Sequence, residues 1–232
     1  MFVLGFPEYD RQASALAKAL NAPYRLIELH RFPDGESQLR LPPALPGQVV
    51  LCRSLDRPNG KLVELLLAAG CARQLGASQL ILVAPYLCYM RQDTAFHPGE
   101  AVSQRVIGEL LARRFDTVIT VDPHLHRTPG LEQAVPVRRA VALSAAPVMA
   151  ARLASRGDAP LLIGPDEESA QWVSAIAAPG KLDYGVAHKK RLGDRSVQVE
   201  LPGLDCAGRR HRHNPFPSGT TGHRPARPGI HP

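Results

Sequence analysis

Four short polar segments of this sequence each follow an apolar run, and each carries side chains suited to phosphate chemistry. Arg91, Gln92 and Asp93 come soon after the run 80–85, and Asp122 and His124 directly after 117–121. Asp166, Glu167 and Glu168 follow 161–164, while Lys189, Lys190 and Arg191 follow 184–187. Carboxylates and imidazole can serve a divalent cation, and arginine or lysine can neutralise a polyphosphate. In open α/β sheets ligands bind beyond the carboxyl ends of the strands, where these segments would fall. The set therefore points to a polyphosphate handled with Mg2+. Taken singly, the residues have plainer readings that spacing leaves open. Arg91 could be a surface arginine, Asp122 a cap for the turn at Pro123, and Lys189 to Arg191 a solvated strand end. His124 and His126 lie two apart on an extended segment and so share a face. A zinc site would need further ligands, and none stands at useful spacing. His124 is therefore assigned to phosphate and Mg2+, with His126 behind it. No glycine loop ending in Gly-Lys-Ser/Thr and no G-x-G-x-x-G turn is present, which argues against P-loop and Rossmann chemistry.

The elements that must position these residues alternate in type. Hydrophobic pattern predicts strands over residues 1–5, 24–30, 48–54, 80–85, 117–121, 161–164, 184–188 and 196–201. Helices are predicted over 10–20, with Asp10 as N-cap, and over 59–75, 101–114, 144–154 and 169–177. In the second helix Leu62, Leu65, Leu66 and Ala69 fall on one face. Such alternation with buried strands predicts an α/β fold of parallel sheets covered by helices. The stretch 133–144 is a plausible boundary between two units, giving domains 1–140 and 141–208.

Bulk properties narrow the class. With 232 residues and 44% hydrophobic content, the chain can bury a substantial core. No apolar run approaches the ~18 residues of a membrane span, and the N-terminus lacks the basic region of a signal peptide. Cys52, Cys71, Cys88 and Cys206 are widely spaced, so reduced thiols and a cytoplasmic setting are expected. The net charge is +7, but residues 209–232 hold five arginines and no acid, leaving +2 for residues 1–208. Aromatics make up only 5% of the chain, so a nucleic-acid partner is not expected. Residues 209–232 are rich in Pro, Arg and His without apolar periodicity, which predicts a disordered tail.

Several segments resemble one family. Arg31-Phe32-Pro33-Asp34-Gly35-Glu36, Tyr89-Met90-Arg91-Gln92-Asp93, Phe96-His97-Pro98-Gly99-Glu100 and Val121-Asp122-Pro123-His124 follow the order of the ribose-phosphate pyrophosphokinases, or PRPP synthetases. The helix 59–75 with Glu64-Leu65-Leu66, Gly164-Pro165-Asp166 and Lys189-Lys190-Arg191 extend the resemblance over residues 1–204. It implies two phosphoribosyltransferase-type (type I) α/β domains, the second incomplete here, in a homodimer or larger ring. It also implies transfer of the diphosphoryl group of ATP to ribose 5-phosphate, with Mg2+. Phe32, Asp34 and Glu36 would contact adenine from a neighbouring subunit, and Arg91 and Gln92 would hold ATP. His124 would serve ATP and one Mg2+, and Asp166 the ribose and a second. Lys189 and Arg191 would close over the transferring phosphate. A non-catalytic regulatory subunit and a phosphoribosyltransferase are the competing readings.

Two departures from the family pattern stand out. Thr94 and Ala95 occupy positions often basic in the family, which predicts weaker ATP binding or altered regulation. After residue 208 there is no apolar strand ending in paired aspartates, and Ser218-Gly219-Thr220-Thr221 only faintly resembles the family's phosphate turn. An altered reading frame or a truncated gene would explain the composition change at Gly208.

Overall fold

The computed structural model describes residues 1–125, 127–156, 159–193, 196–200 and 211–213, the last strands by backbone only. The chain divides into two compact units, residues 1–144 and 145–232.

In the first unit β1 (Phe2–Gly5), α1 (Asp10–Ala19) and β2 (Tyr24–Leu26) are followed by β3 (Glu28–Arg31) and β4 (Ser37–Arg40). Then come β5 (Gln48–Cys52), α2 (Pro58–Gln74), β6 (Gln79–Val83), α3 (Ser103–Ala112), β7 (Thr117–Val121), α4 (Leu131–Ala134) and β8 (Arg139–Leu143). Six of these strands form one parallel sheet in the order β2-β1-β5-β6-β7-β8. The period of two sends neighbouring residues to opposite faces, so both faces are apolar. Leu4, Val49 and Leu51 join Leu62 and Leu65 of α2 on one side. Val3, Val50 and Cys52 meet Ala13 and Ala17 of α1 on the other. Small alanines let α1 lie close to the strands. Pro58 suits the first turn of α2, where its missing N–H costs nothing.

Three features differ from the expectations. The single strand expected over 24–30 is two, because Ile27 is fully buried and its N–H bonds Gly5 O. There the chain leaves the sheet and builds the antiparallel hairpin β3–β4. The last strand, β8, was not expected, and it carries the first unit to Ser144. Its residues are exposed or half-buried, as suits an edge strand.

A close approach secures the far end of this unit. A Cβ built on Gly108 of α3 would stand 1.7 Å from Ala134 O. Backbone must move to admit it, so Gly108→Ala is expected to cost about 1–3 kcal/mol, read from the urea midpoint. An unshifted midpoint would refute the close contact.

The second unit holds α5 (Ala146–Ala154), β9 (Leu161–Gly164), α6 (Ala170–Ala177), β10 (Tyr184–Val186), β11 (His188–Gly193), β12 (Ser196–Glu200) and β13 (His211–His213). Its parallel sheet runs β10-β9-β13, with Ala146, Leu162, Val173, Ile176 and Ala177 in its core. The segment with Lys189 and Arg191 is not a loop after a sheet strand. It is strand β11 of an antiparallel hairpin with β12. Where disorder was expected, residues 211–213 form β13, parallel to β9. The rest of 201–232, with Cys206 and Ser218 to Thr221, lies outside the described residues, as does His126.

Candidate functional site

The strand order of the first sheet reverses between β1 and β5, the position where open α/β sheets leave a ligand crevice. Here that crevice is filled. Arg53, just after β5, is fully buried, and its guanidinium lies 3.9 Å from the centre of the Phe6 ring. Its Nε donates to Glu8 Oε1 at 2.6 Å, and its Nη2 to Glu64 Oε2 of α2. The open space lies one strand further along. A cleft of about 610 Å³ is lined by Asp56, Arg57, Pro58, Asn59 and Gly60 after β5 and by Tyr86, Cys88, Tyr89 and Arg91 after β6.

Backbone conformation marks the same edge. Arg57 (φ 50°), Tyr89 (φ 59°) and Asp122 (φ 43°) adopt left-handed geometry, one in each turn after β5, β6 and β7. Such residues cost of order 1–3 kcal/mol each and gather at functional sites. Here neighbouring bonds hold the latter two. Tyr89 OH donates to Asn59 Oδ1 across the cleft, and Asp122 N–H to Leu143 O at 2.8 Å.

The turns after β6 and β7 are tied together. Asp93, its carboxylate nearly inaccessible, accepts from Arg127 N at 3.1 Å and from Arg127 Nη1 at 2.7 Å. Burial pushes the Asp93 carboxyl up, but the Arg127 bonds more than offset this and leave it below the usual range. Buried Gln104 donates to Met90 O and accepts from Thr128 Oγ1, bracing both turns. Ser103 Oγ donates to Gln92 Oε1 at 3.0 Å, which orients the Gln92 amide. Beside them Glu100 closes a small turn onto His97 Nδ1 and Phe96 N–H. His124, half-buried, lies in the β7 turn between these ties. Thus Arg91, Gln92 and His124 stand on two braced, adjacent turns.

Not every expected residue joins them. Phe32, Asp34 and Glu36 are exposed at the tip of the β3–β4 hairpin, and none lines the cleft. Asp166 follows β9 in the second unit, where its carboxylate accepts from Ser169 N at 3.2 Å in a capping box. That bond fixes the Asp166 rotamer at the sheet edge. His188 faces Glu167 at 3.2 Å in the same unit. Lys189 and Arg191 occupy register positions opposite Val199 and Val197.

The sequence reading missed Arg53, Arg57 and Asn59, although the rule applied to the later strands, applied to β5, finds them. Cys52 and Cys88 are buried thiols pushed up to about 11 and about 12 by desolvation, as reduced core cysteines should be. Among the described residues no helix is long and apolar enough to cross a membrane.

A family model for the N-terminal domain of ribose phosphate pyrophosphokinase matches residues 1–114. The ribose-phosphate pyrophosphokinase of Methanopyrus kandleri is 36% identical over 212 residues, spanning 90% of this chain and 72% of that relative. The chain belongs to the ribose-phosphate pyrophosphokinase family. Another relative of that name, from Halobacterium salinarum, is 32% identical over 200 residues, 85% of this chain and 69% of the relative. In fold, this pyrophosphokinase-family chain matches the phosphoribosylpyrophosphate synthetase of Mycobacterium smegmatis with a TM-score of 0.66. The identity there is 20%, and the match covers 86% of this chain and 67% of the other.

Proposed function

We propose that this family member transfers the β,γ-diphosphoryl group of ATP to the anomeric hydroxyl of ribose 5-phosphate, giving PRPP and AMP. The observation that supports the reading is the bracing of the β6 and β7 turns, which carry Arg91, Gln92 and His124, with Arg91 lining an open cleft. In the reaction the sugar oxygen attacks the β-phosphorus, the bond from that phosphorus to the α-phosphate oxygen breaks, and the hydroxyl proton is lost. Protein groups contribute mainly position and charge in such transfers. Arg91 and Gln92 hold the nucleotide, and Lys189 and Arg191 neutralise the group in flight.

Mg2+ fits this donor set. Among the described residues no group of three or more His, Cys, Asp or Glu side chains converges. A Mg2+ carried by nucleotide phosphates needs only one or two protein groups, the rest being water and phosphate oxygen. His124 would hold one such Mg2+ and Asp166 a second, and the ions would neutralise charge on the phosphoryl oxygens.

The tip residues Phe32, Asp34 and Glu36 would read adenine bound to a neighbouring subunit, so this reading requires at least a homodimer. The test is AMP release from ATP that depends on both ribose 5-phosphate and Mg2+. ATP binding without AMP release at any ribose 5-phosphate concentration would overturn catalysis by this chain. His124→Ala is expected to lower AMP release roughly 100-fold or more, and normal turnover in that variant would remove His124 from the site.

A further inference from the structure

The hairpin that carries Phe32, Asp34 and Glu36 is a separate two-stranded sheet, and such a ribbon is marginally stable alone. Something must hold its tip in place. Arg31 and Ser37 are directly opposed, forming the last cross-strand pair before the turn. Both donate to one atom. Arg31 Nε and Ser37 Oγ each lie 3.0 Å from Glu64 Oε1, and Arg31 Nη2 lies 2.9 Å from it. The other Glu64 oxygen takes the buried Arg53, so the carboxylate has little freedom to move. Glu64 is a rigid buried anion on a long helix, and it grips both strands of the hairpin at the base of the turn.

Beyond that pair the turn is organised by its own bonds. Phe32 N–H donates to Glu36 O at 2.8 Å and Gly35 N–H to Phe32 O at 2.9 Å. Glu36 N–H donates to Asp34 Oδ1 at 3.0 Å. Gly35 has φ +93°, open to glycine without strain. His30 meets the Phe32 ring edge to face at 4.9 Å. The turn therefore moves as one piece on the Arg31–Ser37 pair.

We infer that Glu64 is a positioning residue for nucleotide recognition, fixing through Arg31 and Ser37 the turn that presents Phe32, Asp34 and Glu36. The inference rests on the functional reading above and adds to it a residue that touches no substrate. Its test uses the full chain with Arg31→Met and Ser37→Ala, singly and together. The Arg31 side chain is 62% exposed, so these changes spare the core pair of Arg53 and Glu64. Amide exchange at residues 32–36 is expected to speed up in the double variant far more than exchange in the sheet core, which reports the smaller loss of global stability from the Glu64 bonds removed. The affinity for ATP should fall about 10- to 100-fold, and the preference for ATP over GTP should shrink with it. Arg31→Lys, which keeps a cation within reach of Glu64, should recover part of both. Unchanged exchange, or looser exchange with unchanged ATP affinity and base preference, would overturn the inference. Wild-type protein that fails to bind ATP would instead sink the functional reading, a separate and visible result.

Discussion

Arg53→Met is expected to lower the stability of the first unit by about 3–5 kcal/mol, the cost of stranding a buried charge. The Arg53 side chain is wholly inaccessible and that of Glu64 nearly so. Removing the guanidinium leaves Glu64 with Ser37 and the largely exposed Arg31. The pH dependence identifies the mechanism. In the wild type, burial pushes the Glu64 carboxyl up, yet the bonds from Arg53, Ser37 and Arg31 outweigh it and hold the group below its ordinary 4.5. A group lowered on folding contributes stability above its unfolded pKa, and that contribution is lost as pH falls towards the folded value. Without Arg53 a large part of that offset is gone, so the folded pKa rises and the stability that Glu64 contributes above its unfolded pKa shrinks. The penalty of Arg53→Met should therefore be larger at pH 7 than at pH 4, in urea unfolding followed by circular dichroism. Equal penalties at the two pH values would mean that Glu64 does not carry the effect. Replacing both partners with apolar residues, Arg53→Met with Glu64→Leu, should recover much of the loss, because no buried charge is left unpaired.

That pair also shows where sequence reasoning stops. Residues 53 and 64 are polar points within apolar patterns, and nothing local says that they meet. Glu8, Arg31 and Ser37, which complete the network, lie 45, 33 and 27 positions from their partners. Periodicity reports which face a residue takes, not its partner across the core. The strands β5, β6 and β7 were legible because burial on both faces requires continuous apolar runs. The rule that function follows strand ends then pointed to Arg91, Gln92 and His124 as candidates. Residues 24–30 read as one strand because the break at Ile27, a buried residue whose N–H bonds Gly5 O, leaves no glycine or proline signal. The strand β13 consists of His211, Arg212 and His213, and no propensity announces it. Its pairing with β9 is a tertiary effect. The expected site residues fall in separate units, Arg91, Gln92 and His124 in the first and Asp166, Lys189 and Arg191 in the second. It is the resemblance, not the pattern, that assigns both sets to one reaction.

Lys189→Ala is expected to lower the turnover number about 100- to 1,000-fold at saturating ATP and ribose 5-phosphate, with a much smaller change in the KM for ATP. The split between kcat and KM reflects where charge changes. Nucleotide in the ground state can be held by Arg91 and Gln92, which stand on the braced β6 turn of the first unit. Lys189 and Arg191 belong to the second unit, on the ribbon β11–β12 rather than in its parallel sheet. Cations there can act on the diphosphoryl group while it is between oxygens, where negative charge spreads over its equatorial atoms. A contact made only in that state changes kcat and kcat/KM together, whereas loss of a ground-state contact raises KM. Arg91→Ala should accordingly show the opposite split, with the larger change in KM for ATP. If Lys189 and Arg191 act on the same group, as proposed, Lys189→Ala with Arg191→Ala should cost less than the product of the single losses. Steady-state AMP formation for the four proteins decides the matter. A Lys189→Ala enzyme with wild-type kcat and a raised KM would move that lysine from the transferring group to the binding of ATP.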